Sequence, residues 1–169
     1  MRWKTYGTIA VLPFLLFGLV AGQVIASDET HDRKSSTMPH QATGSFTVQI
    51  TPQAPDVGHE STAVGRMTLD KTFEGDLAGA SLGQMLAFRS AVDGSAGYVA
   101  MERVSGTLAG REGSFTLQHS GTMAGGDQHA EITVVPDSGT EGLVGLAGTM
   151  TIRIEDGGHF YDFEYTLPE

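Results

Sequence analysis

The sequence predicts an all-β fold, an eight-stranded antiparallel up-and-down β-barrel, on three observations. From Ala42 onward, apolar and polar residues alternate with period two, and no stretch carries the apolar spacing of an amphipathic helix. Short glycine turns punctuate the alternation at Asp93-Gly94, Gly110-Arg111, Gly125-Gly126 and Asp156-Gly157. Strands joined by turns this short pair antiparallel with their neighbours, and closing the meander removes both exposed edges.

The strands are expected to begin after two N-terminal segments. Arg2 and Lys4 precede an uncharged apolar run, Ile9 to Ala21, and "VIAS", Val24 to Ser27, offers a small-residue cleavage site after Ala26. Residues 1–26 therefore read as a signal peptide, and the protein is expected to be exported to a periplasmic or extracellular space. Residues 27–41 are polar and aperiodic and read as a flexible leader, leaving 42–169 as one barrel domain. Without Arg2 and Lys4, 8 Lys and Arg face 20 Asp and Glu, a formal charge of −12. Such a surface repels phosphates, so neither nucleic acid nor an anionic membrane is an expected partner. The chain has no cysteine, which removes disulfides, thiol nucleophiles and thiolate metal sites.

The eight strands fall at about 43–50, 60–73, 77–91, 96–109, 113–123, 128–135, 147–155 and 159–167, each bounded by turn residues. A two-residue turn fixes the register of its hairpin. A turn at Gly110-Arg111 sets Val104 opposite Leu117 and Glu102 opposite His119. A turn at Asp93-Gly94 sets Met85 opposite Glu102 and Arg89 opposite Tyr98. The Gly125-Gly126 hairpin puts Ile132 beside His119 and Val134 beside Leu117. The last hairpin aligns Met150, Ile152 and Ile154 with Phe163, Tyr161 and His159. One face then collects Met85, Arg89, Tyr98, Phe115, Leu117 and Ile132, continued by Val134, Met150, Ile152, Tyr161, Phe163 and Tyr165. This is an apolar and aromatic interior of the kind that lines a small-molecule pocket. An eight-stranded barrel either fills that interior with its own side chains or holds one ligand.

Glu102 and His119 share this face with these residues. A buried carboxylate needs a partner, and a cross-strand histidine supplies one. Glu102 and His119 are therefore the candidate catalytic pair, able to pass a proton near neutral pH; the alternative is an ion pair that only holds strand register. Arg89 could pair with Glu102, meet an anionic group on a ligand, or extend from the barrel mouth into water. His129 and Glu131 share a strand face, but the register sends them outward and no second such pair exists, so no metal site is expected. No cofactor motif is present.

"VVPDSGTEGLVGLAGTMTI", residues 134–152, places a glycine at every third position from Gly139 to Gly148. No G-K-[ST] follows, and "TMTIRI" returns to a strand, so the segment reads as a crossover over one end of the barrel. It resembles the G-G-T-G-x-F-x-x-A-x-G segment of plant allene oxide cyclases and dirigent proteins through Ser138, Gly139, Thr140, Ala147 and Gly148, with Leu143 at the aromatic position. "MLAFR" (Met85 to Arg89), "ERVSGTLAGREGSFTLQHSGTM" (Glu102 to Met123) and "VVPDSGTEGLVGLAG" (Val134 to Gly148) look like the bacterial family catalogued as domain of unknown function thirty-two twenty-four. The resemblance covers most of residues 43–167 and implies an allene-oxide-cyclase-like barrel. The plant relatives hold reactive or apolar small molecules and assemble as trimers, so it also implies an apolar ligand and a homo-oligomer. It assigns no site residues here.

The expected function is binding of an apolar small molecule inside the barrel by Met85, Arg89, Tyr98, Phe115, Leu117, Ile132, Met150, Tyr161 and Phe163. A cyclase or isomerase using Glu102 and His119 is the alternative, and a structural barrel with a filled core is a second.

Overall fold

The computed structural model describes residues 38–168. The expected signal peptide and the leader as far as residue 37 lie outside the described residues. Eight antiparallel strands follow one another around a closed barrel: β1 (His40–Gln53), β2 (Val64–Gly75), β3 (Leu77–Arg89), β4 (Ala96–Leu108), β5 (Arg111–Ala124), β6 (Asp127–Val134), β7 (Ala147–Glu155) and β8 (Gly158–Thr166). The first strand starts at His40, two residues ahead of the expected domain boundary. Along most strands buried and exposed residues alternate, as a barrel with one dry face requires.

Two of the four hairpin registers agree with the sequence reading: Ile132 pairs with His119, Val134 with Leu117, Met150 with Phe163 and Ile152 with Tyr161. The other two slip by two residues. Between β4 and β5 the turn is Ala109-Gly110, so Leu108 pairs with Arg111, Val104 with Phe115 and Ala100 with His119. Ala109 and Gly110 both have positive φ, 49° and 84°, the type I′ geometry, which places the glycine second; Asp156-Gly157 repeats it with 50° and 81°. Between β3 and β4 a four-residue loop, Ala91 to Gly94, replaces the two-residue turn, with Ser90 N donating to Ser95 O and Ser95 N to Val92 O. Met85 therefore faces Ala100 rather than Glu102, and Arg89 faces Ala96 rather than Tyr98. A slip of two leaves every side chain on its predicted face, so the interior set survives while its pairings change.

The interior is packed at one end and open at the other. At the packed end Phe115 stacks on Phe163 (5.8 Å between centroids, 11° between planes), and Phe163 on Tyr165 (5.3 Å, 27°). Tyr161 spans this half, its hydroxyl accepting from Leu77 N at 2.8 Å. The glycine-rich crossover closes the same end with a single 3-10 turn, Glu141–Leu143. Before that turn the crossover runs along β5, its backbone N–H groups donating to β5 carbonyls and its side chains accepting from β5 N–H groups. Ser138 Oγ accepts from Thr116 N at 3.0 Å and donates to Val135 O at 2.7 Å, and Thr140 Oγ1 accepts from Ser114 N at 3.0 Å. Leu143 and Leu146 drop into the core as a plug. Gly113 makes room for it: a Cβ there would stand 2.3 Å from Thr140 O and 3.1 Å from Leu143 Cγ.

The opposite end flares. β6 and β7 share a single ladder pair, Thr133 with Thr149, and diverge toward the mouth. Ala130 and Ile154 point inward by register yet are exposed there.

Candidate functional site

Halfway down the barrel, four polar side chains from four neighbouring strands meet inside the apolar wall. Glu102 on β4 is fully buried, directly opposite Gly83 on β3 and Leu117 on β5. The bare Gly83 leaves a slot beside it. A Cβ on Gly83 would come 3.2 Å from Glu102 Cβ and 2.9 Å from Met101 O. Lys71 from β2 and Ser81 from β3, both buried, reach the carboxylate, while His119 approaches diagonally from β5. Lys71 Nζ lies 2.6 Å from Glu102 Oε2, and Ser81 Oγ donates to Oε1. His119 Nε2 lies 3.1 Å from Oε2 but is not aligned for a directed hydrogen bond. The ammonium is also flanked by aromatic faces, 5.0 Å from the Phe46 centroid and 5.8 Å from that of Phe73.

Burial alone would push the Glu102 carboxyl up. His119, Lys71 and Ser81 together outweigh it and hold the group at about 2. The carboxylate is thus ionised across the physiological range, with both oxygens engaged. Such an arrangement anchors strands and sets the local field. It is poorly suited to accepting a proton from a ligand, because its basicity is spent on its own neighbours.

Above this cluster the barrel is hollow. A cavity of about 610 Å³ occupies the open half, lined on its inner wall by Ile50, Met67, Met85, Ala87, Tyr98 and Met123. Its space arises from one row of small residues. Gly65, Ala87, Gly121 and Ala130 occupy four of the five neighbouring positions across β2 to β6, and Tyr98 the fifth. The tyrosine ring lies flat against the wall: a Cβ on Gly121 would stand 2.2 Å from Tyr98 Cε1. Burial first, and then the Glu102 charge, push the Tyr98 phenol up.

The residues expected to bind a ligand therefore divide. Met85, Arg89 and Tyr98 line the cavity. Phe115, Leu117, Ile132, Met150, Tyr161 and Phe163 are buried among themselves in the packed part, with Val134 and Tyr165, and Ile152 is half-buried. The candidate pair Glu102 and His119 does come together, two residues off the expected register. Arg89 does not join it. It is exposed at the rim, four residues beyond the His119 rung, and makes no ion pair among the described residues. The cation that Glu102 does use, Lys71, went unnoticed in the sequence, although the signal was present: in "MTLDKTF" it takes the inward turn of the alternation, between Leu69 and Phe73. His129 and Glu131 are exposed, as their register required.

Fold and site define a small antiparallel barrel with a plugged end, a buried polar belt and a hollow mouth. The chain belongs to the family described as "Protein of unknown function (DUF3224)", whose pattern matches residues 42–165. It is similar to the crystal structure of a DUF3224-family protein of unknown function from Shewanella oneidensis MR-1. The two share 48% identity over 78% of this chain and 99% of that one, with a TM-score of 0.72. No curated protein matches the chain.

Proposed function

We propose that this barrel binds an apolar small molecule in the open half of its interior. The observation that carries the reading is the cavity of about 610 Å³ with a largely methionine, alanine and aromatic wall, in the size range of small-molecule sites. Methionines suit such a site because the unbranched thioether adapts to different shapes. The flared seam between β6 and β7 gives a ligand a route in, and Arg89 stands at the rim for an anionic group. The geometry supports binding over cyclisation or isomerisation: Glu102 and His119 lie below the cavity wall, and the carboxylate is committed to Lys71 and Ser81. A fully filled structural core describes only the plugged half.

Native mass spectrometry of the purified protein should reveal a co-purifying small molecule or uptake of an added one. Fluorescence enhancement of 1-anilinonaphthalene-8-sulfonate gives a second readout. Ala87→Phe, which fills the lumen from its row of small residues, should abolish the enhancement while leaving the melting transition in place. Undiminished enhancement in a folded Ala87→Phe protein overturns the reading.

A further inference from the structure

We infer that Tyr98 is the polar recognition point of the cavity, and that the site selects a largely apolar molecule carrying a hydrogen-bond acceptor of the carbonyl type. The inference rests on the binding reading above and adds the chemistry of the ligand. Tyr98 is the one inward side chain of its row with any bulk, and its neighbours Ala87 and Gly121 leave the ring free to lie along the wall. Packing against Gly121 fixes the ring, so its hydroxyl is held in one place before any ligand arrives. Among the described residues that hydroxyl has no hydrogen-bond partner, while the ring that bears it is half-buried. The other residues of its own rung, Gly65, Ala87, Gly121 and Ala130, offer no side-chain donor, while Arg89 and Gln128 stand one rung nearer the rim. The hydroxyl opens on the cavity, where water can accept from it; a ligand oxygen that displaces the water takes over that hydrogen bond and a hydrocarbon does not. The buried carboxylate of Glu102 beneath it reinforces the assignment. Negative charge close by disfavours the phenolate, so the group remains a donor.

The selectivity that follows has a physical basis: a site built around one donor rejects the analogue that lacks the acceptor, because the donor is then left unsatisfied. Benzophenone and diphenylmethane form a matched probe pair, identical in their rings and differing in a carbonyl against a methylene. The wild-type protein should bind benzophenone about tenfold more tightly, the ratio expected from one neutral hydrogen bond. Tyr98→Phe keeps the ring on Gly121 and should erase that preference, lowering benzophenone affinity while leaving diphenylmethane unchanged. The infrared carbonyl stretch of bound benzophenone should lie at lower frequency in the wild type than in Tyr98→Phe. Equal affinity for both probes in the wild type, or equal weakening of both by Tyr98→Phe, overturns the inference and leaves the cavity reading intact. Binding of neither probe overturns both.

Discussion

Gly83 stands directly across the β3–β4 ladder from Glu102, and its missing side chain leaves room for the Glu102 Cβ on the inner wall. A Cβ there would lie 2.9 Å from Met101 O, a backbone atom that cannot swing away. Gly83→Ala should therefore lower stability by about 1–3 kcal/mol, the range for overpacking a filled site. Urea denaturation measures it. A variant as stable as wild type would mean the strand pair relaxes around the added methyl.

Lys71 and Glu102 should be strongly coupled. Removing one partner of a buried pair strands the other's charge, so Lys71→Met and Glu102→Gln should each cost about 3–5 kcal/mol. The double variant should cost less than their sum by about 1–3 kcal/mol. Additive losses in the denaturation midpoints would show that the 2.6 Å contact contributes nothing beyond its desolvation.

Acid should act through Glu102. Its carboxyl is held at about 2 in the folded protein, against roughly 4.3 in an unfolded chain. A depressed carboxyl stabilises the fold in full above the unfolded value, and that stabilisation is lost as pH falls from about 5 toward 2. Wild type and Glu102→Gln should thus differ most at neutral pH and converge in acid. Denaturation midpoints from pH 7 to 2.5 test this, and parallel curves would contradict it.

Leu143 should matter for the fold and not for the cavity. It is buried at the plugged end, held there by the hydrogen bonds of Ser138 and Thr140 to β5. Leu143→Ala should cost about 2–5 kcal/mol with unchanged 1-anilinonaphthalene-8-sulfonate enhancement in the folded protein. Loss of the enhancement without loss of stability would place the ligand at the wrong end of the barrel.

The glycine spacing of residues 139–148 proved legible as architecture. Ser138 just before it and Thr140 within it extend the β5 hydrogen bonding around the barrel end, and its leucines form the plug. The hairpin turns were legible in position but not fully in register. At Gly110 the glycine belongs second in the turn, and at Asp93-Gly94 the chain uses four loop residues instead of two. Both slips are even-numbered, which is why Glu102 and His119 still share a face and still meet, diagonally.

What the sequence determined by itself is the set of inward residues, because alternation on a strand is a local property that any register of the same parity respects. It determined the barrel too, since eight antiparallel strands, most of them joined by short turns, leave few other ways to hide their edges. Only the tertiary structure decided which inward residues touch. Lys71 reaches Glu102 from a strand two places away, a meeting that depends on barrel curvature and on the exact stagger of three strands. Only the tertiary structure, likewise, divided the interior into a plugged half and a hollow one. That division follows from the crossover's leucines entering one end and from a row of small residues aligning across β2 to β6 near the other, and alignment between strands is written in no single strand.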